Sequence, residues 1–181
     1  MKTRTIILFI FLLITIDQAI KIIINTYFGD YQFEIIPSLI EFKPTFNDKY
    51  SYVNFLLNKN FGLNVGLLPH VILKLFIGIL VSAFFFYFRN NIYNNTKLLD
   101  TAIIFLFAGI ICSLIGNLIW ENGTLDYIYL KPLFVFDLKD TYAEVFIILF
   151  FLYAIKNKTE FKSIRTRDVI LFAKNRLKND K

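Results

Sequence analysis

With 181 residues, 56% of them hydrophobic, 22 Phe and a mean hydropathy of +0.56, the chain is too apolar for a soluble domain of ordinary composition. Its net charge of +6 raises nucleic acid as a partner, but in so apolar a chain a basic segment beside a membrane, drawn to anionic lipid headgroups, accounts for the charge without it. The single Cys excludes an intrachain disulfide.

In chain order, four segments approach the roughly twenty apolar residues that cross a hydrocarbon core about 30 Å thick. The first runs from Thr5 to Ile24 behind Lys2 and Arg4. It is laid out like a secretory signal but has no small-x-small cleavage site and is long enough to span, so it is expected to remain as a membrane helix. Within it, TIDQAIKIII sets Asp17 and Lys21 four residues apart, on one helix face. Ionisable groups at membrane depth are costly, so they pair or face a protein interior. A self-neutralising pair that only makes insertion tolerable and a functional support both fit, and Asp17 is the one carboxylate of interest away from the outer loops.

From about Asn25 to Leu67, FEIIPSLIEF and YSYVNFLLNKNFGLNVG carry β-branched and aromatic runs broken by Pro, Asn and Gly, which predicts short strands lying on the outer face. The second span runs from Leu68 to Phe88. His70 follows Pro69 at its mouth and has neither a Cys nor a second His to complete a metal site, so it is read as an interfacial side chain. The third, from Leu98 to Trp120, holds Cys112 as a small packing residue and ends on Gly116 and Asn117.

A second outer segment, Glu121 to Asp140, carries Asp126, Asp137 and Asp140 and ends in DLKDTYAE. Thr141 with Glu144 fits a capping box at the start of the fourth span, Thr141 to Ile155. That leaves Asp137, Lys139 and Asp140 at the threshold without a structural reason. Thirteen of the 20 Lys and Arg fall before the first span (Lys2, Arg4), at the edges of the loop flanked by Arg89 and Lys97, and in the tail from Lys156 onward. By the positive-inside rule both termini are then cytoplasmic and both long loops lie outside. The tail stretch DVILFAKNRLK reads equally as an interfacial helix or a solvated tail. The expected fold is an all-α membrane bundle of four transmembrane helices with a small outer-face (periplasmic) β-element at about residues 26–67. Residues 1–156 form one membrane domain and 157–181 a basic cytoplasmic tail.

DQ-x-x-K in the first span, the N-x-G turn of Asn60 to Gly62, Gly116-Asn117 and the paired aspartates around the fourth span follow one another in an order that resembles lipoprotein signal peptidase, the signal peptidase II family of bacterial inner-membrane aspartic proteases. The resemblance covers roughly Ile16 to Phe151. Its N-x-G-A-A-F matches only as NFGLNVG, and its G-N-x-x-D-R reads GNLIWE, with Trp120 and Glu121 at the Asp and Arg positions. Its V-V-D-F appears as TLDY and its F-N-x-A-D as FDLKD, with Asp137 at the Asn position and Lys139 at the Ala.

The resemblance implies a catalytic dyad of Asp126 and Asp140, with Asp17, Lys21, Asn60, Gly62, Gly116, Asn117 and Asp137 as support or substrate-binding residues. It implies no metal or organic cofactor. The implied substrate is a prolipoprotein signal peptide, cut just before a diacylglyceryl-modified cysteine. Two carboxyls sharing one proton can supply a general base and an acid together, and a Lys139 ammonium close to both would favour the doubly ionised form. The altered motifs keep open a non-catalytic relative that binds a lipidated or membrane-anchored partner. A small transporter or assembly subunit explains Asp17 and Lys21 but not the outer aspartates.

Overall fold

The computed structural model describes residues 1–48, 52–63, 65–91, 96–120, 123–163, 167–168 and 171–172. Helix α1 (Thr3–Ile23) runs on through a π-helical turn, Ile24–Phe28, into strands β1 (Phe33–Ile36) and β2 (Ile40–Asn47). Then come α2 (Tyr52–Phe61), α3 (Leu67–Asn91), α4 (Thr96–Ile119), β3 (Thr124–Leu130), β4 (Phe134–Phe136), α5 (Leu138–Lys156) and the short α6 (Lys158–Ser163). Among the described residues, three helical stretches, Thr3–Phe28, Leu67–Asn91 and Thr96–Ile119, are long and apolar enough to cross a membrane. Helix α5, at 19 residues, is shorter, and its first two turns carry Lys139, Asp140 and Glu144.

Helix α4 is the axis of the bundle, buried from Leu99 to Asn117, while α1 and α3 turn many of their Ile, Leu and Phe side chains outward. Outward apolar residues cost nothing where the surroundings are lipid. Two glycines on α4 set close approaches. A Cβ on Gly109 would lie 3.2 Å from the Lys139 carbonyl oxygen, and one on Gly116 would lie 2.6 Å from Thr124 Oγ1. Glycine at these two positions therefore lets α5 and β3 lie directly against α4.

The sheet departs from the expected outer element. It has four antiparallel strands in the order β1-β2-β3-β4, half of them supplied by the second outer segment. Further along the first segment, α2 occupies Tyr52–Phe61, where strands were expected. Gly62, at φ +68°, ends α2 in the left-handed region, and its N–H donates to the Asn58 carbonyl at 2.9 Å. The N-x-G turn thus closes a helix and not a strand. Buried Asn54 ties down the chain beyond it, donating to the Val65 carbonyl at 3.0 Å and accepting from the Val65 N–H at 2.9 Å.

Asp17 is not the only carboxylate away from the outer loops. Asp100, fully buried at the opposite end of α4, takes the Arg89 guanidinium at 3.4 Å and the Met1 amino group. Beside it, Phe88 stacks on Phe161 at 4.5 Å, docking α6 against α3. Within the tail stretch DVILFAKNRLK, residues 169–170 and 173–178 lie outside the described residues, as do Asn64 of the N-x-G segment and Glu121 of the altered Gly-Asn motif.

Candidate active site

Register and capping bring the acidic residues together. Between β2 and β3 the pairing steps from Phe42 opposite Ile128 to Thr45 opposite Asp126, so Lys43 and Pro44 bulge against one residue. Bulges of this kind bend a strand and re-aim its side chains. The Asp126 carboxylate points inward and accepts from Asn47 Nδ2 at 3.2 Å, across the strand pair.

At the start of α5 the capping box is Asp137 with Asp140, not Thr141 with Glu144. Asp137 Oδ1 accepts from the Asp140 N–H and Asp140 Oδ2 from the Asp137 N–H, each at 3.2 Å. Thr141 instead donates its hydroxyl to the Asp137 carbonyl at 3.3 Å. The exchange has a direct consequence, because the residues that begin the helix are also those that carry the charge.

From there an alternating row of charges crosses the bundle. Lys21 Nζ stands 2.9 Å from Asp17 Oδ2 and 2.7 Å from Asp137 Oδ2, all three side chains fully buried. Lys139 Nζ stands 2.9 Å from the same Asp137 oxygen, 2.8 Å from Asp126 Oδ1 and 3.3 Å from Asp140 Oδ2. The contacts on Asp137 Oδ2 are ion pairs lying off the hydrogen-bonding directions. Carboxyl oxygens of Asp126, Asp137 and Asp140 fall within 4.8 Å of one another, and the Lys139 ammonium is the cation held among them.

The row continues on the other side. Gln18 Nε2 donates to Asp17 Oδ2 at 2.8 Å, and Trp120 Nε1 donates to Gln18 Oε1 at 3.3 Å. Trp120, at a position where the family pattern has Asp, therefore anchors the end of α4 to α1. Thr124 donates its hydroxyl to Asn117 Oδ1 at 3.1 Å, against Gly116. Six of the nine residues singled out in the sequence, Asp17, Lys21, Asp126, Asp137, Asp140 and Asn117, are thus placed in or beside one polar layer, with Gly116 setting its packing. Asn60 and Gly62 are not among them: Asn60 is exposed and Gly62 shapes the end of α2.

Environment divides Asp126, Asp137 and Asp140. Burial pushes Asp137 up, but the pull of Lys139 and Lys21 outweighs it, so its carboxyl sits below the ordinary range. Burial raises Asp126, with Lys139 opposing. Burial raises Asp140 to about 6, Lys139 again opposing and Asp137 and Asp126 adding to the rise. Burial alone would lower Lys139, yet the three carboxylates hold it above its ordinary value. Asp137 is then a standing anion, and the exchangeable proton belongs to Asp126 and Asp140, which titrate together. Asp140 is also the open edge, its side chain 45% exposed where those of Asp126 and Asp137 are buried.

Sequence reasoning weighed a Lys139 ammonium close to Asp126 and Asp140 but not its contact with Asp137, and gave no role to Asn47, Gln18 or Asn54. Lys139 left a signal as a charged residue where the resembled pattern has Ala, and Gln18 another as part of DQ-x-x-K.

A family model described as signal peptidase (SPase) II matches residues 9–156. No curated protein sequence matches the chain. A bacterial membrane enzyme solved by the in meso method at 1.9 Å superposes with a TM-score of 0.62 at 23% identity, over 86% of this chain and 95% of that one. A second such structure, at 2.3 Å, gives the same score and identity over 91% and 95%. At that identity the likeness is one of fold.

Proposed function

Since the chain belongs to the signal peptidase II family, we propose that it is a membrane aspartic endopeptidase that removes signal peptides from diacylglyceryl-modified prolipoproteins, with Asp126 and Asp140 as its dyad. The observation that carries this reading is the split among the outer aspartates: Asp126 and Asp140 are pushed up and adjacent, while Asp137 is held ionised by Lys21 and Lys139. Asp17, Lys21, Asn117, Gly116 and Asp137 support the site, and Asn60 with Gly62 shapes the turn before α3.

The chemistry needs one proton on the pair. The ionised aspartate takes a proton from water as the water oxygen bonds to the scissile carbonyl carbon, and the protonated aspartate donates to the carbonyl oxygen. Collapse breaks the C–N bond, the departing nitrogen takes up a proton, and the pair returns to its shared-proton state. Lys139 works against that state at rest, because an ammonium within 2.8 Å of Asp126 and 3.3 Å of Asp140 stabilises two negative charges. Productive binding therefore moves Lys139 toward Asp137, the anion that keeps its charge throughout.

A pH dependence follows from the signs. Asp140 is raised from 3.8 to about 6, so its proton is present below that pH and lost above it, and cleavage falls as pH rises through this range. Removing Lys139 removes the charge that opposes protonation. The alkaline limb for Lys139→Ala is expected to move upward by roughly one to three pH units, the usual effect of one close opposite charge. An unmoved limb in the pH profile of kcat/KM would show that Lys139 does not act on the dyad.

Four crossings with both termini cytoplasmic complete the proposal, α5 supplying the fourth and the dyad lying on the outer face of the inner membrane. The domain then ends near residue 156, and the basic tail of 157–181 rests on anionic headgroups. Support comes from Lys2 and Arg4 at the start of α1 and from Arg89 and Lys97 between α3 and α4. In intact cells, a Cys at Tyr31 should react with an impermeant thiol reagent and one at Lys158 only after permeabilisation. The reverse pattern contradicts this orientation.

A further inference from the structure

Lys74 is a half-buried lysine with an enclosed ammonium that the mechanism leaves unused. It lies seven residues into α3, about 10 Å along the helix at 1.5 Å per residue. One turn further on, Gly78 faces α4, where a Cβ would meet Ile110 Cδ1 at 3.8 Å. Residues four apart share a helix face, so Lys74 faces α4 as well. Gly109, next to Ile110, backs onto the Lys139 carbonyl. That places Lys74 about one turn from the level of the dyad, toward the outer end. It lies within electrostatic reach of both Lys139 and Asp140.

Its ammonium is enclosed and has no hydrogen-bond acceptor among the described residues. This separates it from Lys21 and Lys139, each held by at least two carboxylates. Charge alone is balanced: Asp17, Asp126, Asp137 and Asp140 with one shared proton carry three negative charges, against Lys21, Lys139 and Lys74. The three N–H donors are not balanced, and enclosed donors without acceptors are costly. An enclosed ammonium also does not reach outward to lipid phosphate, as a lysine near a helix end ordinarily does. What is missing is an acceptor that adds no further negative charge beside Asp140, and a neutral carbonyl oxygen meets that requirement.

We infer that Lys74 is a substrate-contacting residue, its ammonium donating to carbonyl oxygens of the bound lipopeptide beside the dyad. The inference rests on the peptidase reading for its substrate. Such oxygens come either from the peptide backbone or from the glyceryl esters of the modified cysteine.

The test uses the full-length protein, a diester lipopeptide and its diether analogue, which lacks the ester carbonyls. Lys74→Met should raise KM for the diester peptide about ten- to a hundredfold, the scale of one charge-assisted hydrogen bond, with kcat little changed. Lys74→Arg should restore it. If the esters are the acceptors, the wild-type protein shows the same raised KM on the diether and Lys74→Met adds nothing. A Met effect that persists on the diether assigns the backbone. Equal KM values for wild type and Lys74→Met on both peptides overturn the inference, as does a loss that Arg does not restore and that follows a fall in melting temperature. Should the wild type bind the peptide without cutting it, the same comparison made on Kd decides for Lys74 while the peptidase reading falls alone.

Discussion

Asp126→Asn and Asp140→Asn are each expected to lower kcat/KM for a diacylglyceryl-modified lipobox peptide by about a thousandfold or more, the upper range for a positioned acid or base. The double variant should be hardly worse than either single one. Both aspartates enter one event, a proton leaving water as another engages the carbonyl oxygen, so losing one partner leaves the other little to do. Asn keeps the shape and hydrogen bonds to Asn47 and to the α5 capping box, which separates lost chemistry from lost fold. A single variant that keeps a tenth of the activity, or losses that multiply in the double variant, would count against a working pair.

The largest effect on stability is expected at Lys21. Its ammonium bridges α1 and the start of α5, held at 2.9 Å by Asp17 and 2.7 Å by Asp137. Lys21→Met keeps most of the volume and strands Asp17 as a buried carboxylate whose ammonium partner is gone, with the Gln18 amide still donating to it. Breaking a buried pair from one side costs about 3–5 kcal/mol, which for a chain of this size is roughly 10 °C of melting temperature. Removing the second charge as well, with Asp17→Asn, should recover part of the loss, since the cost comes from the stranded charge. Thermal melts in detergent check this, and a Lys21→Met melting temperature within two degrees of wild type would contradict it.

Part of this arrangement was legible in the amino-acid order. Composition announces a membrane chain, the i,i+4 spacing pairs Asp17 with Lys21, and the order of the motifs points to Asp126 and Asp140, whose carboxyl oxygens lie within 4.8 Å of each other. Contacts across sequence distance were not legible. The 2.7 Å meeting of Lys21 and Asp137 joins residues 116 positions apart, and no local pattern announces it. Strand was expected through YSYVNFLLNKNF because a short apolar, aromatic run reads alike as strand or buried helix. The α2 helix settles that ambiguity through Asn54, whose amide bonds to the Val65 backbone. Thr141 and Glu144 satisfied the capping-box pattern, yet Asp137 and Asp140 hold the same spacing one turn earlier. Pattern alone does not choose between two boxes on adjacent turns. The Gly109 contact with the Lys139 carbonyl shows α5 already begun, and packed on α4, at that earlier turn. Lys139 looked like an intrusion into the motif, and only its 2.8 Å approach to Asp126 makes it the counter-ion of the cluster.

Mass analysis of the products tests the central claim most directly. Purified full-length protein would be incubated, below and above pH 6, with a lipobox peptide carrying a diacylglyceryl cysteine and with the same peptide unmodified. The account predicts one cut, immediately before the modified cysteine, stronger at the lower pH and lost in Asp140→Asn. A lipidated peptide that is bound yet recovered intact at every pH would contradict the account and make the protein a binding relative of the family.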